Sequence, residues 1–192
     1  METNKKTSSE RISAAALLFI FLVLLGILQF GFGLKLFIFG LSPYFVWLIL
    51  IIILILFPLF DGTPSPTKQD KMDKVLYAVF ATIIILGGIF FYLIGFSDDK
   101  YFSFKNPSGN KTLVVSTNYS LLSGNGTFYV KKYGVFIKDI NQFISLDAGD
   151  SPFSTNHYTI DWTDDYTAVI RYASNGFEKD PSHWFMTTVK LR

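Results

Sequence analysis

The chain divides into an apolar first half and a polar second half. An uncharged run, Val75 to Phe96, separates them and is preceded by a second apolar block, Ile12 to Phe60. At about 1.5 Å per residue, the run from Val75 to Phe96 matches the roughly 30 Å core of a bilayer. We therefore predict that residues 75–96 form a transmembrane helix joining a lipid-embedded half to a water-exposed tail.

The apolar block 12–60 is too long for one helix. Its middle is interrupted by residues that are unfavourable inside an apolar helix: Gly31, Gly33, Lys35, Gly40, Ser42 and Pro43. This pattern predicts a transmembrane hairpin, with spans near 12–32 and 44–60. A cleavable signal peptide is the alternative for the first span, but its apolar core would end after roughly 7 to 15 residues.

Basic residues set the expected orientation. Three precede the first span and three precede the third: Lys5, Lys6, Arg11, Lys68, Lys71 and Lys74. The loop of the hairpin contains only Lys35. Because cytoplasmic loops are enriched in Lys and Arg, we place residues 1–11 and the linker 61–74 in the cytoplasm. Residues 97–192 then lie outside the cell membrane.

The tail, residues 97–192, has the pattern of antiparallel strands. Short β-branched and aromatic runs alternate with turn signals at Asn106–Asn110, Gly124–Gly126 and 163–166. Tyr158, Ile160 and Trp162 alternate with polar residues, which predicts that all three face a core. The predicted fold class is three transmembrane helices plus a C-terminal all-β extracytoplasmic domain, a small antiparallel sandwich or meander.

Two stretches of the tail resemble a known group of proteins. They are Asn106-Pro-Ser-Gly-Asn-Lys-Thr-Leu-Val-Val115 and Lys131-Lys-Tyr-Gly-Val-Phe-Ile-Lys138. Similar runs occur in the outer domains of uncharacterised small membrane proteins of Gram-positive, Bacillus-type bacteria. The resemblance implies a location in the cell membrane and implies no activity.

Composition excludes several classes of function. The chain has no cysteine, which removes disulfides, zinc–thiolate sites and thiol catalysis. The tail contains ten Lys and Arg residues and ten Asp and Glu residues, so it lacks the basic surface of a nucleic-acid-binding domain. We therefore expect the lipid bilayer as a partner, with another membrane or envelope protein as a further partner.

Candidate catalytic and metal residues are sparse. His157 and His183 are far apart in the sequence and lack the spacing of a zinc site, although Asp161, Asp164 and Asp165 lie between them. Asp147 and Asp150, like Asp164 and Asp165, are typical of turns. No serine lies in a hydrolase motif. We predict no catalytic residue, no cofactor and no metal.

Two small groups of residues are candidates for binding. Gln29 is the one strongly polar residue well inside an apolar run, and Gly87 and Gly88 leave room for close contact between helices. These three residues are therefore the candidate intramembrane helix contacts. Phe153, Phe177 and Trp184 are loop aromatics that suit an exposed recognition patch. These patterns favour a non-enzymatic membrane protein whose outer domain binds an envelope or extracellular partner, as an accessory subunit, a sensor or an immunity protein would. The alternatives are an assembly factor acting through its helices and, less favoured, an envelope hydrolase.

Overall fold

The protein consists of two compact units. The computed structural model describes residues 3–57, 68–96, 99–119, 124–146, 152–173 and 180–191. The helical unit comprises Met1–Phe32 and Tyr44–Gly95, and the β unit comprises Gly33–Pro43 and Phe96–Arg192. The segment between the first two helices therefore belongs with the tail, a grouping that its position in the apolar half does not reveal.

Three helices form the helical unit: α1 (Thr3–Phe32), α2 (Pro43–Leu56) and α3 (Lys68–Gly95). Gly33 follows α1 with a φ of 66°, the left-handed conformation that commonly ends helices. Pro43 opens α2, where its missing N–H costs no helical hydrogen bond. The glycine and proline that interrupt the apolar block thus mark the end of one helix and the start of the next.

The predicted fold class is wrong in its three transmembrane helices. Among the described residues, only Lys71–Gly95 is long and apolar enough to cross a membrane. The apolar helices Ala16–Phe32 and Pro43–Leu56 are shorter. At about 1.5 Å per residue, α2 reaches about 21 Å, less than the roughly 30 Å hydrocarbon core. The structure therefore supports one candidate span, and it does not support a multi-pass topology.

Eight strands in the described part of the β unit form two antiparallel sheets. Sheet A has the strand order β1-β5-β4-β3-β2 and sheet B the order β6-β7-β8. The strands of sheet A are β1 (Leu34–Leu36), β2 (Lys100–Lys105), β3 (Thr112–Tyr119), β4 (Gly124–Lys132) and β5 (Phe136–Leu146). Those of sheet B are β6 (Tyr158–Asp164), β7 (Thr167–Tyr172) and β8 (Phe185–Lys190). A short helix α4 (Pro152–Thr155) precedes sheet B, and a 3₁₀ turn (Pro181–His183) precedes β8. Since β1 comes from the segment before α2, the β unit is not purely C-terminal.

The main core of the β unit takes residues from both sheets and from α4. Its buried members are Leu113, Val115, Phe128, Val130, Ile144, Leu146, Phe153, Ala168, Ile170, Tyr172, Val189 and Leu191. Tyr158, Ile160 and Trp162 pack against this cluster from β6, which confirms that they share one face. In the pairing of β6 with β7, Trp162 lies opposite Ala168 and Ile160 opposite Ile170.

Gly124–Gly126 is not a turn, contrary to the sequence prediction. It lies within β4, where Gly126 is paired with Ile144. A Cβ atom added at Gly126 would lie 2.6 Å from Ile144 Cγ1. The glycine is therefore required by close packing inside the sheet, and the sequence alone does not separate this role from that of a turn glycine.

The opposite face of sheet A carries a second, smaller cluster. It consists of Phe37, Val114, Tyr129 and Ile137, with Tyr101 packed against it. Phe37 follows β1, and its N–H donates a hydrogen bond to the carbonyl oxygen of Val135 at 2.8 Å. The Gly33–Pro43 segment thus supplies both an edge strand and an apolar side chain that covers this face.

Candidate functional site

A bulge in β5 creates the candidate site. Thr127 pairs with Phe143, but Tyr129 pairs with Asp139, so β5 contains extra residues between these two pairs. Within the bulge, Asn141 has a φ of 56°, a left-handed conformation that asparagine tolerates better than most residues. Its N–H donates a hydrogen bond to Asp139 Oδ1 at 2.6 Å. Such bulges redirect side chains and are frequent beside functional sites.

The bulge borders a surface hollow of about 510 Å³. Its lining comes from β4 and β5: Asn125, Thr127, Asp139, Asn141, Gln142 and Phe143. Phe143 is 74% exposed, although aromatic rings of this size usually bury most of their surface. The side chain of Gln142 is held by β8, because its Oε1 accepts a hydrogen bond from the backbone N–H of Lys190 at 3.2 Å.

The chemistry of this hollow is polar and almost uncharged. Amides and a hydroxyl provide both donors and acceptors, and Asp139 supplies the single carboxylate among the described lining residues. Within the described residues, the side-chain amides of Asn125 and Asn141 have no hydrogen-bond partner. The arrangement can therefore bind a neutral ligand rich in hydroxyl groups, with the ring of Phe143 beneath an apolar face of that ligand.

A second hollow, of about 530 Å³, lies at the turn between β6 and β7. Asp164 Oδ1 accepts a hydrogen bond from the Tyr166 N–H at 2.7 Å, and this bond, helped by Thr167, lowers the pKa of Asp164 below its ordinary value. Asp165 is bound by the side-chain amide of Asn106 at 3.2 Å. Both carboxylates therefore stabilise the turn.

Asp180, Ser182 and His183 lie together at the start of the 3₁₀ turn. The Ser182 hydroxyl donates to Asp180 Oδ1 at 2.6 Å, and His183 Nδ1 lies 2.8 Å from Asp180 Oδ2. Hydrogen bonds from Ser182, followed by that from His183, lower the pKa of Asp180. In a catalytic triad the serine and the acid contact different ring nitrogens. Here Ser182 Oγ also lies nearest His183 Nδ1, at 3.1 Å, so the group is an exposed turn rather than a nucleophile–base pair.

The histidines and acidic residues do not converge on a metal site. In the part of the chain that the structure describes, no three His, Asp or Glu side chains are placed to hold a metal ion. His157 Nδ1 is buried without a hydrogen-bond partner among these residues. Its backbone instead connects two elements, since the N–H donates to Pro152 O at 2.9 Å and the C=O accepts from Ala173 N at 3.0 Å.

The three aromatics predicted to form a recognition patch do not form one in the described structure. Phe153 is 1% exposed and belongs to the core, so its place in an exposed patch is wrong. Trp184 is half-buried, and Phe177 lies outside the described residues. Phe143 is not among the predicted binding residues, because an aromatic side chain of this size is usually buried and the pattern favours a place in the core.

The candidate intramembrane residues occupy three different environments in the helical unit. Gln29 Oε1 accepts a hydrogen bond of 2.6 Å from Trp47 Nε1, linking α1 to α2. A Cβ atom added at Gly88 would lie 3.4 Å from Leu48 Cδ1, whereas one at Gly87 would have no neighbour within 4 Å among the residues that the structure describes. Gly88 thus packs inside the unit, and Gly87 faces open space.

No protein-family model, no curated protein and no solved structure matches the chain.

Proposed function

We propose that this is a non-enzymatic membrane protein whose β unit binds an envelope or extracellular partner. The observation that carries the proposal is the hollow beside the β5 bulge, with its exposed Phe143 and its polar, nearly uncharged lining. The long apolar helix Lys71–Gly95 supports attachment to the cell membrane. The strands β2 to β8, which begin at Lys100, follow this membrane segment in the chain.

The orientation follows from the basic residues beside this helix. Lys68, Lys71 and Lys74 lie at its N-terminal end, which favours the cytoplasmic side for that end and the outside for the β unit.

Orientation is tested by cysteine labelling in intact cells, since the native chain has no cysteine. An impermeant thiol reagent should label Asn110→Cys, in the exposed turn after β2, and should not label Ser65→Cys, in the linker. Disruption of the cells before labelling is the control and should expose both positions. Labelling of Ser65→Cys in intact cells would contradict the orientation.

A neutral saccharide of the cell envelope is the ligand class that best fits the hollow. Amide and hydroxyl groups match sugar hydroxyls as donors and acceptors, and an exposed ring offers a flat apolar surface. A strongly anionic ligand fits less well, because Asp139 would repel it and none of the described residues that line the hollow is basic.

The ligand class is tested with the full-length protein in detergent, applied to an array of neutral and anionic envelope glycans. We expect binding to neutral glycans that Phe143→Ala abolishes, because the ring supplies the apolar contact. Phe185→Ala is the matched control, since Phe185 is an exposed phenylalanine of sheet B outside this hollow. Equal binding by both variants would refute the role of the hollow.

The alternative function, an assembly factor acting through its helices, is favoured by Gly87. This glycine leaves open space on α3 for a helix of another membrane protein. Gln29 does not add to this alternative, because Trp47 already satisfies its carbonyl inside the unit. Gly87→Leu should prevent co-purification of such a partner while Gly95→Leu, also without a neighbour within 4 Å, should not.

A further inference from the structure

Two exposed aromatic residues lie at one end of sheet A. β1 runs antiparallel to β5, with Leu36 opposite Phe136, so the chain leaves β1 beside the turn that joins β4 to β5. Phe39 follows β1 and is 97% exposed, and Tyr133 lies in the β4–β5 turn and is 83% exposed. The Phe37 N–H to Val135 O hydrogen bond holds the two turns together. We call Phe39, Leu41, Tyr133 and Val135, all exposed, the apolar tip.

The backbone at the tip favours other residue types. Phe39 and Tyr133 have φ values of 54° and 51°, and each is followed by a glycine that also has a positive φ. The left-handed region is unfavourable for bulky side chains and is best tolerated by Gly, Asn and Asp. An asparagine would therefore suit either turn better than an exposed aromatic ring. The local fold gives no reason for these rings, which suggests that they contact something outside the chain.

Four lysines lie on the strands that lead to the tip. The segments 33–43 and 129–138 contain four lysines, Lys35, Lys131, Lys132 and Lys138, and no acidic residue. Lys35 Nζ lies 5.1 Å from the centre of the Tyr129 ring, and Lys131 Nζ lies 5.9 Å from that of Phe37. Both ammonium groups thus lie over aromatic rings of the second cluster, and Lys35 Nζ also donates to the Tyr129 hydroxyl at 3.4 Å. Lysine stems pack on apolar surface while the charged group reaches toward water or a headgroup.

The segment that carries Phe39 lies between two apolar helices in the sequence. Gly33–Pro43 is preceded directly by α1 and followed directly by α2. Exposed aromatics flanked by lysines are characteristic of protein surfaces at the boundary between lipid and water. Anionic headgroups also attract clustered lysines, by about 1 kcal/mol for each residue near the surface.

We propose that the apolar tip inserts into the headgroup region of an anionic membrane, with the four lysines of these strands contacting lipid phosphates. The β unit is thereby held against the membrane surface at Phe39 and Tyr133. This inference rests on the proposed membrane attachment, but it is independent of the ligand proposed for the hollow beside Phe143.

The test uses the full-length chain in vesicles made of equal parts of phosphatidylethanolamine and phosphatidylglycerol. Because the chain has no cysteine, single cysteines at Phe39, Tyr133 or Phe143 can each carry a spin label. Oxygen concentrates in lipid and a nickel chelate remains in water. The measured quantity is the ratio of the collision rate with oxygen to that with nickel at each label. This ratio should be several-fold higher at Phe39 and at Tyr133 than at Phe143, which is exposed on a different part of sheet A.

Charge and lipid composition give the second arm. Lys132→Gln combined with Lys138→Gln should lower the oxygen preference at Tyr133 in anionic vesicles and should leave it unchanged in phosphatidylcholine vesicles. Both lysines lie outside the apolar clusters, so folding should be retained, and the variant's thermal unfolding is the check. An equal loss in both lipids would contradict contact with lipid phosphates.

Two further results would overturn the proposal. If the protein floats with the vesicles but the labels at Phe39 and Tyr133 are as accessible to nickel as the label at Phe143, the tip does not enter lipid. If those labels show spin–spin broadening that disappears on dilution with unlabelled protein, a second copy of the chain covers the tip. Failure of the protein to float would refute the membrane attachment itself, and the proposed tip contact with it.

Discussion

Replacement of Phe153 by alanine tests whether this side chain belongs to the core or to a binding surface. Phe153 is 1% exposed and contacts three other rings, those of Phe102, Phe104 and Tyr158, at centroid distances of 5.9, 6.3 and 5.0 Å. α4, which carries it, is only four residues long, so the helix depends on this contact for its position. We expect Phe153→Ala to destabilise the β unit strongly.

The size of the effect follows from the burial. Truncation of a buried phenylalanine to alanine costs about 3–5 kcal/mol, out of about 5–15 kcal/mol for a whole domain. For a domain of this size, each kcal/mol corresponds to about 4–8 °C in melting temperature. Phe153→Ala should therefore lower the melting temperature by about 12 °C or more, and Phe153→Leu, which keeps most of the volume, by less.

Tryptophan fluorescence of the full-length protein in mild detergent is a suitable assay, because Trp162 and Trp184 both lie in the β unit. Phe143→Ala is the matched control, since an exposed phenylalanine contributes within about 0.5 kcal/mol. If Phe153→Ala melts within a few degrees of Phe143→Ala, Phe153 is not a core residue, and the packing of α4 against β2 and β6 is wrong.

Three further predictions concern individual contacts. Gly126→Ala should destabilise the β unit by about 1–3 kcal/mol in denaturant titration, because its Cβ would meet Ile144; Gly109→Ala, at an open turn, is a control that tests only backbone strain. Phe37→Ala should cost about 3–5 kcal/mol in the same titration by uncovering the second face of sheet A, and no loss would show that Phe37 is not part of a core on that face. The folded-state pKa of Asp164 is lowered by the Tyr166 N–H, so its stabilising effect is present above the ordinary value of 3.8 and is lost as the pH falls through the lower folded value. Asp164→Ala should therefore be less stable than wild type at neutral pH and nearly equal to it in strong acid; a constant difference in melting temperature across this range would contradict the assignment.

The local pattern of the sequence was sufficient for most of the strands. β-branched and aromatic runs between turn signals identified β3, β6 and β7, and the alternation of Tyr158, Ile160 and Trp162 gave the correct inner face of β6. These features depend on residues close together in the chain, because a strand's side chains alternate with a period of two whatever lies around it. The long apolar stretch that makes up most of α3 is also visible in the sequence, because its residues are consecutive in the chain.

Contacts between distant segments could be decided only by the tertiary structure. Leu34–Leu36 looks like part of a loop between apolar helices, yet it pairs with β5 about a hundred residues later. Phe153 looks like an exposed loop aromatic until two sheets close over it, and Gly126 looks like a turn glycine until Ile144 packs against it. Phe143 looks like a core aromatic, yet it is 74% exposed on sheet A. A sequence pattern reports the preference of each residue for burial, but the neighbour that buries it, or leaves it exposed, is set by how the whole chain packs.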